Sequence, residues 1–222
     1  MVGLAAVLLL AACGSAKHAT APQKTIFVAA LGDSITAGSP GYNPSAGMAR
    51  LLGQGQVPKS QWEYWAAQTE PRLEFRNCGI YGQRTDQIMA RLEECVPGAD
   101  ALVVQGGIND IAQKRSVHEA GANLRTMVRR VKQLGLRVAI ADVLPWNNGW
   151  PDAEPQIREL NALIAELARN ESIPLLSFHD TLEDPDRPGR MRADWTSDGD
   201  HPSVEGYRRL GEVAARLADY SS

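Results

Sequence analysis

From residue 25 onward, short runs of consecutive apolar residues alternate with longer stretches that repeat every three or four positions. The runs predict β-strands over residues 25–31, 73–77, 101–105, 137–144 and 174–177. In the third, Leu102-Val103-Val104 is apolar at successive positions, as a strand buried on both faces requires. The longer stretches predict helices. Residues 119–134 set Leu124, Met127, Val128, Val131 and Leu134 on one face, and Gly135 closes the segment. Residues 153–170 repeat the pattern with Ile157, Leu160, Ile164 and Leu167. Residues 85–94, opening Thr85-Asp86, and residues 204–218, with Ser203 as N-cap, add two more. Strands alternating with helices predict an α/β domain with a parallel sheet between helical layers. In such sheets, ligands bind outside the carboxyl ends of the strands. Ser34 follows the first predicted strand, Gly82 the second and Asn109 the third, while Asp198 and His201 lie between the fifth and the last helix. All five therefore fall at one edge.

Length and composition narrow the class. The chain has 222 residues, 44% hydrophobic and 22% charged, with a formal net charge of -3. That suits one globular domain and provides no basic field for nucleic acid. Residues 1–12 are apolar but shorter than the roughly 20 residues needed to cross a bilayer. They have the length of a signal-peptide core, although no Lys or Arg precedes them. Leu10-Ala11-Ala12-Cys13 resembles a bacterial lipobox. The resemblance implies Cys13 as a lipid-anchored residue, residues 13–24 as a tether and 25–222 as the folded domain. It also implies export, to the cell envelope or beyond. Cys78 and Cys95 then remain as an even pair. A bridge between them would contribute about 3 kcal/mol, but spacing alone leaves paired and free thiols equally open.

The chemistry rests on few residues. A serine hydroxyl needs an adjacent base, and a histidine base needs its second nitrogen oriented. His201 has Asp198 three positions before it, with Gly199 supplying freedom for a turn. Asp200 competes as the acid, but adjacent side chains diverge, which favours Asp198. No serine lies in Gly-x-Ser-x-Gly, so a nucleophile elbow is excluded. Acyl transfer also requires donors aimed at the developing oxyanion. The backbone N–H of Ser34, the backbone at Gly82 and the side-chain amide of Asn109 are the candidates. No metal or other cofactor is expected: there is no His-Glu-x-x-His, and His18, His118 and His179 are scattered. Gly53-Gln54-Gly55 lacks a following lysine and serine and reads as a loop.

Together these stretches resemble the SGNH, or GDSL-type, hydrolases. Gly32-Asp33-Ser34-Ile35 is similar to the first block, residues 77–85 to the second with its glycine at Gly82 (not Gly79), Gly107-Ile108-Asn109-Asp110 to the third, and Asp198-Gly199-Asp200-His201 to the fifth. The resemblance implies a flavodoxin-like three-layer α/β/α sandwich with a five-stranded parallel sheet. It implies Ser34 as nucleophile, Asn109 as oxyanion donor and a small carboxylic ester as substrate. Such families act on lysophospholipids, thioesters, acetyl esters and acetylated sugars. Two segments are expected to shape the pocket: residues 39–55 with Tyr42 and Asn43, and residues 145–151 with Trp146 and Trp150. The expectation is a short-chain esterase, with acetyl groups on carbohydrate as the example, or one of the lysophospholipid or thioester type. An acyltransferase using the same serine and a non-catalytic envelope lipoprotein are the alternatives.

Overall fold

The computed structural model of the protein describes residues 24–221. Cys13, the apolar start and most of the tether lie outside the described residues. The chain runs through β1 (Ile26–Gly32), α1 (Ser34–Ala37), α2 (Ala46–Leu52), α3 (Trp62–Thr69) and β2 (Leu73–Gly79). It continues through α4 (Thr85–Ala90), α5 (Leu92–Cys95), β3 (Ala101–Val104), α6 (Ile108–Ala112), α7 (Val117–Gln133) and β4 (Arg137–Ala141). Then follow α8 (Glu154–Glu171), β5 (Leu175–Leu176), α9 (Phe178–Leu182), the hairpin β6 (Glu183–Asp184) and β7 (Arg187–Met191), and α10 (Val204–Ala214).

β1 to β5 form one all-parallel sheet in the order β2-β1-β3-β4-β5. This is the flavodoxin-like order, in which the chain reverses its direction of travel across the sheet between β2 and β3. The crevice created there opens between the carboxyl ends of β1 and β3. Strand periodicity assigns the two faces. Ala29, Leu31, Leu102, Val104, Val138 and Ile140 pack toward α4, α5, α7 and α8. Val28, Ala30, Val103, Ala139 and Ala141 pack toward α3, α9 and α10. Helical layers thus cover both sides, which is why β1 and β3, inside the sheet, are apolar throughout, whereas β2 at its edge carries Glu74, Arg76 and Asn77.

Several boundaries differ from the sequence reading. α7 starts at Val117 because Ser116 accepts a hydrogen bond from the Glu119 N–H, a cap two residues ahead of the apolar stripe. The segment 85–94 divides at Arg91, whose φ of -113° and ψ of 13° leave the helix. β4 and β5 are shorter than predicted, and the chain turns from α-helix to 3-10 geometry over Ala215–Ser221. Residues 39–55 are more than a loop. They contain α2, capped by Ser45, and Asn43 is buried with its amide committed to Gln54 at 2.7 Å. α2 escaped detection because its apolar residues face out, Leu51 being 77% exposed. α3 was also missed; Trp62 and Ala66 seat it against α10, and Gly211 allows that approach because a Cβ there would lie 2.3 Å from the Trp65 Cβ.

Cys78 and Cys95 form a disulfide, with Cα atoms 6.1 Å apart. It joins the carboxyl end of β2 to α5. Gly79, the next residue, lies so close to α1 that a Cβ would come within 2.0 Å of the Ala37 nitrogen. That glycine is required by packing.

Candidate active site

β1 delivers the serine. The strand ends at Gly32, and Asp33 caps α1 by accepting from the Ile35 N–H at 2.9 Å. Ser34 is then the first helical residue, so its own N–H has no intrahelical acceptor. Gln105, directly after β3, pins this turn: its Oε1 accepts from the Asp33 N–H at 3.2 Å and from the Thr36 hydroxyl at 2.9 Å. The Ser34 turn is therefore held from across the crevice.

His201 reaches Ser34 from the opposite end of the chain. Its Nε2 lies 3.1 Å from Ser34 Oγ, and its Nδ1 lies 2.9 Å from Asp198 Oδ2. Asp198 Oδ1 accepts from the backbone N–H groups of Asp200, at 2.9 Å, and His201, at 2.7 Å. One carboxylate thus closes the turn with one oxygen and orients the ring with the other. Gly199 adopts a φ of +87°, and a Cβ there would sit 2.5 Å from Asn148 Oδ1. Asp200 faces elsewhere. Its Oδ1 accepts from Trp146 Nε1 at 2.6 Å and Asn148 Nδ2 at 2.7 Å.

Those two bonds alter the picture of the 145–151 segment. Asn147 and Asn148 donate backbone N–H groups to the Gly199 carbonyl, and Asn148 Nδ2 donates to the Asp198 carbonyl at 2.9 Å. The segment braces the turn that carries His201. Trp146 is half-buried against the core, and Trp150 lies beneath the Arg190 guanidinium, 4.0 Å from its ring centre. The exposed aromatic beside His201 is instead Tyr81, 46% exposed, with ring centres 6.1 Å apart. Ile80 next to it is also exposed. Nothing in the spacing of the sequence distinguished Tyr81 from the two tryptophans.

The remaining candidates converge at the crevice. Gly82 holds a φ of +74°, and a Cβ at that position would meet nothing within 4 Å. Its glycine is selected by conformation and leaves an open approach. Asn109 follows β3 and donates from Nδ2 to the Gln83 carbonyl at 3.0 Å. An amide nitrogen carries two hydrogens, so one remains for a substrate. Asp110, its neighbour, ties this segment to α4: it accepts from the Thr85 N–H at 2.9 Å and the Thr85 hydroxyl at 2.8 Å. The sequence contained Asp110 in Gly107-Ile108-Asn109-Asp110 without revealing that use.

Electrostatics follow from burial. Asp33 is fully buried with Oδ2 unpartnered, and burial pushes its carboxyl up to about 6 despite the bond from Ile35. Burial also raises Asp110. At Asp198 burial acts upward too, but the bonds from the His201 ring and the two backbone N–H groups outweigh it and hold the carboxyl below its ordinary value. Asp198 is therefore an anion at neutral pH, facing the ring nitrogen distal to Ser34. The arrangement can accept the serine proton on Nε2 and stabilise the resulting imidazolium. Beyond β5, His179, Asp180 and Glu183 bring ligand atoms within 4.8 Å of one another, a grouping that sequence reading overlooked in treating His179 as isolated.

Residues 30–209 match the GDSL-like lipase/acylhydrolase family. No curated protein matches the chain. Among solved structures, it is similar to a protein assigned to the G-D-S-L lipolytic family from Desulfitobacterium hafniense, at 22% identity and a TM-score of 0.72, covering 87% of this chain and 99% of that one. It is similar to the lipase/acylhydrolase from Enterococcus faecalis, at 22% identity and 0.69, covering 89% and 97%. An acetyl xylan esterase from Geobacillus stearothermophilus is similar at 19% identity and 0.66, over 87% and 94%.

Proposed function

This chain belongs to the GDSL-like lipase/acylhydrolase family, and from that premise we propose that it is a serine esterase preferring short acyl groups, of the acetyl kind, on carbohydrate. The carboxylic ester hydrolase class comes with the family; the residue roles and the substrate are our reading. The observation that carries it is His201 Nε2 at 3.1 Å from Ser34 Oγ with Nδ1 on Asp198.

In this reading Ser34 Oγ attacks the ester carbonyl as its proton passes to His201 Nε2. The carbonyl oxygen becomes an oxyanion among the Ser34 N–H, the Gly82 N–H and the Asn109 amide. His201 then returns the proton to the departing alcohol, leaving the acyl group esterified to Ser34. Water, deprotonated by the same nitrogen, releases the acid and restores the serine.

Two features support an acetylated sugar. At the site itself, Tyr81 presents a free aromatic face beside His201, suited to the apolar face of a pyranose. The same fold carries acetyl xylan esterase activity in the Geobacillus stearothermophilus protein. A stacked ring contributes about 0.5–1.5 kcal/mol, or roughly 2- to 13-fold in affinity. Tyr81→Ala is accordingly expected to raise KM for acetylated xylo-oligosaccharides by that factor while p-nitrophenyl acetate kinetics stay within twofold. Equal losses on both substrates, or none on the sugar, would remove the carbohydrate from the proposal.

We also propose export with an acyl anchor on Cys13. The disulfide between Cys78 and Cys95 supports an oxidising compartment. Radiolabelled palmitate should enter the wild-type protein and be absent from Cys13→Ala; equal labelling of both would refute the anchor.

A further inference from the structure

The structure assigns to Arg91 a role in setting the mutual geometry of the three oxyanion donors, and we infer that it is a positioning residue for acyl transfer. The inference rests on the oxyanion site proposed above. Arg91 stands at the break between α4 and α5, where its non-helical backbone turns the side chain under the carboxyl edge of the sheet. Nη2 donates to the Gly32 carbonyl at 2.6 Å, Nη1 to the Cys78 carbonyl, and Nε to Gln83 Oε1 at 2.6 Å.

Each acceptor belongs to a segment that supplies a donor. Gly32 is two residues before Ser34. Cys78 is the penultimate residue of β2, from which the loop bearing Gly82 departs. Gln83 is adjacent to Gly82, and its own carbonyl accepts from Asn109 Nδ2 at 3.0 Å. A guanidinium is a rigid planar fork, so one group ties two backbone carbonyls and the Gln83 side chain together. Lysine, with a single ammonium on a flexible stem, cannot span them. The disulfide from Cys95 to Cys78 holds α5, and with it Arg91, to the same end of β2. Burial draws the guanidinium down to about 10, against the pull of Asp33 and Glu94, and it stays charged at neutral pH. A charged group half-buried on two carbonyls and an amide, with no ion pair to a carboxylate among the described residues, is costly as mere scaffolding.

Misplacing donors by about 1 Å costs on the order of 100-fold in rate. The test measures kcat and KM for p-nitrophenyl acetate in the full chain, normalised to serine titrated by a fluorophosphonate at completion. Arg91→Met is expected to lower kcat per titrated serine roughly 100-fold, and Arg91→Lys at least 10-fold, with KM within threefold. Millimolar guanidinium should restore part of the rate to Arg91→Ala. Asn109→Ala alone should also be slow, and the Arg91→Met/Asn109→Ala pair less than multiplicative, because both act through the same donors. A normal kcat per titrated serine in Arg91→Met overturns the inference, as does a fully multiplicative pair. If Arg91→Met does not fold, Arg91→Lys carries the same decision. A normal rate in Asn109→Ala would instead sink the oxyanion site itself, and the role of Arg91 with it.

Discussion

Ser34→Ala is expected to lower kcat for p-nitrophenyl acetate by about 10⁶-fold, with the residual rate coming from donors that still bind the carbonyl oxygen. The magnitude follows from what is lost. Without Oγ no acyl-enzyme forms, and His201 can only assist a water that has no fixed position. The change should leave the fold in place, since alanine fits where serine stood and Ile35, Thr36 and Ala37 remain buried around it. It removes the partner of a buried imidazole nitrogen, a change worth about 1 kcal/mol. Substrate affinity should hardly move. Circular dichroism, thermal melting and steady-state rates on one preparation decide the matter. A folded Ser34→Ala protein retaining more than a hundredth of wild-type kcat would show that another group attacks.

Asp198→Asn should cost about 10⁴-fold in kcat, whereas Asp200→Asn should stay within roughly threefold of wild type. The structure explains the contrast atom by atom. Asp198 Oδ1 accepts two backbone N–H groups, so an asparagine would keep its carbonyl oxygen there. Its NH₂ would then face His201 Nδ1, 2.9 Å from the present Oδ2. That nitrogen would have to become an acceptor, which places the ring proton on Nε2. A histidine protonated toward Ser34 cannot take the serine proton. At Asp200 the two donors, Trp146 and Asn148, converge on one oxygen that asparagine retains. Equal losses in the two variants would overturn the assignment of Asp198 as the orienting acid.

Much of this site was legible because its parts are short and local. Asp198 and His201 sit three positions apart in a turn, and Ser34 and Asn109 each follow a strand whose apolar run is unmistakable. A parallel sheet then brings their ends together whatever the intervening helices do. What sequence could not reveal depends on partners distant along the chain. Gln105 grips the Asp33 turn over 72 positions, and Arg91 reaches Gly32 over 59. No periodicity encodes such contacts. The tryptophans misled for a related reason. Trp146 and Trp150 are conspicuous by type, but the first is held by Asp200 and the second by Arg190, while Tyr81 gains its place from the loop after β2. α2 was invisible because its apolar side chains are not on a buried stripe.

The parallel sheet has a directional consequence. Every strand starts at one end of the domain and finishes at the other, so the chain enters β1 at Ile26 on the side remote from Ser34. Seven residues of strand, at about 3.3 Å each, separate that entrance from the carboxyl edge by roughly 20 Å. A leash from Cys13 to Lys24 adds at most about 40 Å more. Were Cys13 the anchor proposed above, its tether would join the domain at the end remote from Ser34, and its length would leave the carboxyl edge free to face away from the bilayer.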